Sequence, residues 1–340
     1  ELATENPDGA PDLHLPALKR SVVALWRGLT GGSGRTDARR RTLIAFSGGI
    51  DSTALLLCLA PHAEYVVAAH VVHDHRPIEE GLQDLEHART VCRTVGVELV
   101  EGHVRARPDG GNYEAAARVR RLEALASLAQ ERGCGFVATG HQAQDQVETL
   151  LMRLARGSGP AGLRGIRPRR RLVPGVDLVR PMLGLSRAQT RAIVVESGLK
   201  WIEDPTNEDP AQIRAALRRR VVPELLALLP GVAERSVERS QFWGEIDRHL
   251  RRQARQLIVH AQRGEGWSRD LLTRADPAVR WTALRRLISD AGAVRDAVAF
   301  RTVREIDRAL TDARGHPRQW TLAGVVVVLD AELLKVRRIG

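Results

Sequence analysis

Residues 42–60 read TLIAFSGGIDSTALLLCLA. The first five are apolar and suit a short buried strand; the last nine are dominated by Leu and Ala and suit a helix. At the joint stands Ser47-Gly48-Gly49-Ile50-Asp51-Ser52. Two glycines let the backbone pass close to a ligand with no Cβ in the way. The N–H groups of a tight turn and a first helical turn form a nest for an anion. Ser47 and Ser52 add hydroxyl donors, and Asp51 supplies one carboxylate. The loop has neither the GxxxxGK(S/T) nor the GxGxxG pattern. These six residues therefore read as a phosphate site of another kind.

Outward from this joint, apolar runs at 65–72 (YVVAAHVV), 97–100 (VELV) and 135–139 (GFVAT) predict further strands. Helices are expected between them near 52–59, 79–95 and 114–132. Alternating strand and helix predicts an α/β fold, a parallel twisted sheet with helices on both faces. In such sheets ligands bind beyond the carboxyl ends of the strands. The loops after Phe46, Val72 and Thr139 are the places to look.

After Arg156 the pattern changes. Gly157–Pro160 and the cluster RPRRR at 167–171 read as a flexible basic connection, followed by a helix near 187–197 and the turn-rich EDPTNEDP. Residues 211–314 read as mostly helical and Arg-rich. Strand-like runs from Gln319–Thr321 through VVVVL and LLKVRRI predict a closing β-hairpin. The expected organisation is a mobile extension over 1–41, with a short amphipathic helix around Leu18–Leu29, then a catalytic domain over 42–226. A basic, mostly helical region over 227–340 completes it.

Composition narrows the partners. The 340 residues carry a formal net charge of +11, and only Lys19, Lys200 and Lys335 are lysines among 52 basic residues. Even discounting an arginine-rich genome, the excess of positive charge favours a polyanionic partner. Cys58, Cys92 and Cys134 are far apart and form no CxxC pair, so neither a disulfide framework nor a metal cluster is indicated; they read as small buried residues. No apolar run nears the roughly 20 residues needed to span a bilayer. The first residues, ELATENPDGAPDLH, lack the basic and apolar regions of a signal peptide. A cytoplasmic protein is expected.

A second constellation follows the strand at 135–139: Gly140-His141-Gln142-Ala143-Gln144-Asp145-Gln146-Val147-Glu148-Thr149. Asp145 and Glu148, three apart on a helix, share a face. With His141 just ahead, two carboxylates and an imidazole are gathered on the ligand-binding edge of the sheet.

Together the two motifs resemble the tRNA(Ile)-lysidine synthetase family of PP-loop ATP pyrophosphatases. That family carries SGGxDS, GHxxDDxxET and RGSGxxGL, and here Arg156-Gly157-Ser158-Gly159 and Gly162-Leu163 match the last. His73 and Arg76 resemble its HGLR segment. Asn112, Glu114, Ala117, Arg118 and Arg121 resemble its NxExxARxxR helix, and Arg180-Pro181-Met182-Leu183 its RPL element. Trp201-Ile202-Glu203-Asp204-Pro205-Thr206-Asn207 resembles its W-x-x-DP(S/T)N turn. The resemblance spans about 42–226. Three positions depart: Gln144 for a usual Asp, Leu122 for Tyr, and Ala215 for Asn.

The resemblance implies an ATP-dependent ligase. It would adenylate O2 of the wobble cytidine in an isoleucine tRNA with anticodon CAU, then replace AMP by the ε-amine of L-lysine. It implies ATP on Ser47–Ser52, with Asp51 helping to hold Mg2+. Asp51, His141, Asp145 and Glu148 would be the catalytic residues, the acidic pair first holding the lysine ammonium and then easing a proton away. Arg118, Arg121 and Arg156 would meet a phosphate or the lysine carboxylate. Arg214, Arg218, Arg219, Arg251 and Arg252, with Arg220, Arg248 and Arg255, would contact tRNA phosphates. The oligomeric state stays open, a homodimer included. So do three other readings: a tRNA thiolase, an amidotransferase-type synthetase, and a tRNA-binding paralogue with a degenerate site.

Overall fold

The computed structural model describes residues 14–32, 34–73, 78–104, 113–203, 213–293, 298–312, 316–322 and 324–339. The chain divides into two compact units, residues 1–152 with 165–240, and residues 153–164 with 241–340.

The first unit is built on a six-stranded sheet: β1 (Thr42–Ala45), β2 (Val66–His73), β3 (Leu99–Val104), β4 (Phe136–Ala138), β5 (Arg169–Val173) and β6 (Val176–Val179). Their spatial order is β3-β2-β1-β4-β6-β5. All neighbouring pairs run parallel except the β5–β6 hairpin. The expected parallel sheet is present. Its helices are α1 (Leu15–Leu29), α2 (Ile50–Leu59), α3 (Ile78–Val95), α4 (Tyr113–Glu131), α5 (Ala143–Ala155) and α7 (Arg187–Ser197). A short α6 (Pro160–Leu163) belongs to the second unit. Further on, α8 (Ile213–Ala216), a π-helical turn (Leu217–Val221) and α9 (Val222–Leu228) lead to α10 (Val232–Ala261).

Period-2 alternation explains why both faces are covered. Leu43, Val67, Val137 and Leu178 pack on one face with Leu125 and Ala129 of α4. Ile44, Ala68 and Ala138 pack on the other with Leu55 and Leu56 of α2 and Ile193 of α7. Because β2 and β3 lie on one side of β1 while β4 and β6 lie on the other, the order reverses between β1 and β4. Such a reversal opens a crevice at the strand ends, and the two motifs follow those two strands.

Two corrections concern segments read as loose. Helix α1 is part of the core: Val22 and Trp26 are fully buried, and Trp26 Nε1 donates to Thr42 Oγ1 at 2.9 Å. Its amphipathic stripe, expected within a mobile extension, is stabilised by packing on α2 and α7. The RPRRR cluster belongs to an edge strand. Arg169 and Arg171 flank Asp177 of β6 at 2.6 and 2.7 Å, while Leu172 and Val173 pack beneath. Charged residues on a sheet edge discourage pairing with another chain.

Replacing Trp26 by Ala is expected to lower stability by about 3–5 kcal/mol, the cost of a large core cavity plus the lost hydrogen bond to Thr42. Urea unfolding of the variant measures this; a loss below about 1 kcal/mol would return α1 to a loose extension.

The second unit adds α11 (Arg269–Arg274), α12 (Pro277–Asp290), α13 (Phe300–Leu310) and a five-stranded antiparallel sheet. Its strands are β7 (Gln262–Arg263), β8 (Gly266–Ser268), β9 (Arg318–Leu322), β10 (Val325–Leu329) and β11 (Leu333–Arg338), ordered β7-β8-β11-β10-β9. The expected closing hairpin is thus three strands long and extended by a small hairpin at 262–268. That hairpin was read as helix, because two- and three-residue strands have no period to detect. Val325, Val327 and Leu329 face the core with Leu284, Ile288, Val303 and Ile306. Buried Arg269 donates to the Leu310 and Ala309 carbonyls, closing the end of α13. Among the described residues no helix is long and apolar enough to cross a membrane.

Candidate active site

The phosphate loop is closed by contacts that only its glycines allow. Gly48 has φ +80°, and a Cβ there would lie 2.5 Å from Ile202 Cδ1. Its carbonyl accepts the Ile202 N–H at 2.9 Å, so the Trp201–Ile202 segment seals one side of the loop. Ser52 Oγ donates to the Gly49 carbonyl at 2.9 Å and lies 3.3 Å from both Ser47 N and Ser47 Oγ. The two serines therefore brace the turn as well as offering hydroxyls. Helix α2 starts at Ile50, which puts its positive end at the loop.

Asp51 stands in the first turn of α2, and its Oδ1 is 3.1 Å from the Thr190 hydroxyl of α7. Burial, then the nearby Asp145 carboxylate, push the Asp51 carboxyl up to about 6. Gly140 joins the two motifs: a Cβ on it would lie 2.6 Å from the Asp51 carbonyl oxygen.

Helix α5 opens on a reciprocal cap. Gln142 N–H donates to Asp145 Oδ2, and Gln144 N–H donates to Gln142 Oε1, each at 2.9 Å. Asp145 thus does helix-end work as well as facing the site. Asp145 and Glu148 are 5% and 0% exposed, a burial that demands partners. These are Arg214 and Arg218. Arg214 Nε is 2.9 Å from Glu148 Oε2 and its Nη2 3.2 Å from Asp145 Oδ1. Arg218 Nε is 2.8 Å from Glu148 Oε1 and its Nη2 3.0 Å from Asp145 Oδ1. Arg187 Nη2 stands 3.7 Å from Glu148.

Two arginines expected to face tRNA are therefore forked onto the acidic pair. The two stand four apart on one helical face, and Arg218 lies in a π-helical turn in which Val222 N–H reaches back to the Leu217 carbonyl. Pro223, lacking an N–H, cannot continue the ordinary ladder there. Arg219 and Arg252 are exposed, and Arg251 pairs with Asp247 at 2.9 Å. Exposed Arg156 lies in the turn after α5 and is assigned to the second unit.

His141 is half-buried, with Nδ1 2.9 Å from Thr139 Oγ1. Burial, followed by Arg180, Arg118, Arg214 and Arg121, holds its pKa well below the ordinary value. The imidazole is neutral at pH 7, suited to hydrogen bonding rather than to carrying charge. Arg118 and Arg121 thus act on His141 through their charge. Sequence reasoning gave no role to Arg180, Arg187 or Thr190. Arg180 is 5% exposed, its Nη1 donates to the Arg167 carbonyl at 2.6 Å, and its Nε has no hydrogen-bond partner among the described residues. The RPML match was its only signal.

Asp74, His75, Arg76, Pro77, Asn112 and 204–207 lie outside the described residues, as do the side chains of His73 and Glu114. Among the described residues no group of three or more His, Cys, Asp or Glu could hold a metal alone. Mg2+ accompanying a nucleotide needs only one or two carboxylates besides phosphates. Asp51, backed by Asp145, fits that need, since a divalent cation would relieve their repulsion. The three cysteines are buried and unpaired, and burial pushes the Cys58 and Cys92 thiols up to about 12. Held protonated, they are poor nucleophiles for sulfur transfer.

A family model described as a PP-loop domain matches residues 27–225. The tRNA(Ile)-lysidine synthase of Pseudomonas syringae pv. tomato is 35% identical over 77% of this chain and 56% of its own length. That of Salinispora arenicola is 34% identical over 95% of this chain and 98% of its own. Among solved structures, the U34-tRNA thiolase NcsA from Methanococcus maripaludis superposes with a TM-score of 0.53 at 18% identity, covering 67% of this chain and 77% of that one. At that identity the likeness concerns the fold.

Proposed function

Since the chain belongs to the tRNA(Ile)-lysidine synthase family of PP-loop enzymes, we propose that it joins L-lysine to C2 of the wobble cytidine in an isoleucine tRNA with anticodon CAU. The chain uses ATP, and the products would be lysidine, AMP and pyrophosphate. The observation that carries this reading is the contact at Gly140. It sets the Asp51 loop directly against the helix bearing Asp145 and Glu148, so one tRNA base could meet both centres in turn.

In the first step the cytosine O2 attacks the α-phosphate and pyrophosphate leaves. The loop amides and the positive end of α2 meet the charge building on the departing group. Mg2+ bound with ATP would neutralise phosphate charge, and Asp51 is the residue to hold it. In the second step the lysine ε-amine attacks C2, and AMP departs with the former O2. The ε-ammonium must first lose a proton. Glu148 and Asp145 are the acceptors at hand, once a guanidinium of Arg214 or Arg218 gives way. Neutral His141 offers a hydrogen bond without adding positive charge near the ammonium. The exposed arginines, Arg219 and Arg252 among them, would hold tRNA phosphates, in a cytoplasmic setting.

The test is ATP–pyrophosphate exchange with transcribed isoleucine tRNA, alongside incorporation of labelled lysine. Exchange should require the transcript but not lysine. Exchange without any transcript, or lysine left unincorporated into an adenylated transcript, would overturn the assignment.

A further inference from the structure

Helices α5 and α7 are tied together where both begin. Ala143 N–H donates to the Leu185 carbonyl at 2.8 Å, and Arg187 N–H donates to Gln144 Oε1 at 3.0 Å. The Arg187 amide is among the helix-end donors that no residue of α7 can accept, and the 8%-exposed Gln144 side chain satisfies it. Ser186 and Gln189 close a capping box beside it. The start of α7 is thereby fixed against the acid-bearing helix. One turn further, fully buried Thr190 sets its hydroxyl 3.1 Å from Asp51 Oδ1 and 2.9 Å from the Arg187 carbonyl. A helical threonine is satisfied by the carbonyl a turn back. Here its single proton has a second acceptor within reach, a carboxylate 139 residues away, and an ionised carboxylate is the stronger acceptor of the two.

We propose that Thr190 is a positioning residue for adenylation, fixing the Asp51 carboxylate, and that Gln144 is the tie holding its helix in place. With Oδ1 engaged, rotation of the carboxylate is restricted and Oδ2 is left to face nucleotide and cation. The tie also accounts for Gln144 where the family usually has Asp. An amide oxygen accepts the Arg187 N–H as a carboxylate would, without adding a fourth negative charge to Asp51, Asp145 and Glu148. The proposal rests on the functional reading above.

Thr190→Val, Thr190→Ser and Gln144→Met in the full chain test it. In single-turnover adenylation of the transcript, Thr190→Val should be slower by roughly tenfold or more, and Thr190→Ser should recover to within about threefold. Gln144→Met should slow the step less, and adding it to Thr190→Val should cost little more, because both act through one contact. A second arm needs no tRNA. Affinity for α,β-methylene-ATP with Mg2+ should weaken about fivefold in Thr190→Val, and stay unchanged without Mg2+. If the wild type fails to adenylate tRNA while this arm behaves as expected, the function is wrong and the tie stands. If the wild type is active and Thr190→Val matches it, or Thr190→Ser is as slow as Val, or the two losses add in full, the tie is refuted.

Discussion

Asp51→Ala is expected to slow adenylate formation by about a thousandfold or more while leaving tRNA affinity within a few fold. Charge stabilisation at a transferring phosphoryl group is often the largest single catalytic contribution, whereas affinity for tRNA rests on phosphate contacts spread over many arginines. The structure adds a second readout. The Asp51 carboxyl is held at about 6 by burial and Asp145, against roughly 4 in an unfolded chain. The folded state therefore binds this proton more tightly. The penalty is absent below pH 4, grows as pH rises to 6, and at pH 8 the ionised group costs roughly 2–3 kcal/mol. Asp51→Ala should consequently melt no lower than wild type at pH 8, and Thr190 keeps the Arg187 carbonyl as an acceptor. A variant that loses activity and melts several degrees lower would mark Asp51 as structural. Parallel loss of tRNA binding in a gel shift would count against separate roles.

The parallel sheet and its loops were legible because their signals are local. A strand, two glycines and a helix N-terminus lie within residues 42–60, and the alternation of Leu43 and Ile44 between opposite cores is a period-2 pattern. The acidic pair was legible for the same reason, through its three-residue helical spacing. Contacts that depend on distant segments were not. Nothing in RRR at 218–220 shows that Arg218 turns inward to Glu148, 70 residues away, while Arg219 faces solvent. Neighbouring helical residues point in different directions, and Arg218 shares with Arg214, four residues back, the face that meets the acids. Thr190 reads as an ordinary helical residue until α7 is laid against α2. Arg169 and Arg171 looked like a solvated connection because the partner that organises them, Asp177, follows the Pro174-Gly175 turn. Charge alone does not separate an arginine meeting RNA from one neutralising a buried carboxylate.

Glu148→Gln is expected to abolish lysine transfer while adenylation persists within a few fold. The reason lies in the charge count around the pair. Glu148 is fully buried between the guanidiniums of Arg214 and Arg218, with Arg187 3.7 Å away, and Asp145 is the second acid they share. Glutamine keeps the size and one acceptor oxygen, but its NH2 group opposes an arginine N–H, donor against donor. The site passes from two acids to one among three arginines, so an incoming ammonium is repelled more strongly and is left with Asp145 alone as a proton acceptor. Loss of lysine transfer by about a hundredfold or more follows. Stability should fall as well, by about 2–4 kcal/mol, since breaking a buried pair leaves its partner uncompensated. A companion variant separates the two effects. Adding Arg218→Met removes one of the two guanidiniums left sharing Asp145, so Glu148→Gln/Arg218→Met should regain much of the stability without regaining lysine transfer. Single-turnover reactions with labelled ATP and labelled lysine resolve the steps. Intact lysine transfer in Glu148→Gln, or adenylation lost in equal measure, would detach the acidic pair from lysine and assign it to holding Arg214 and Arg218 in place.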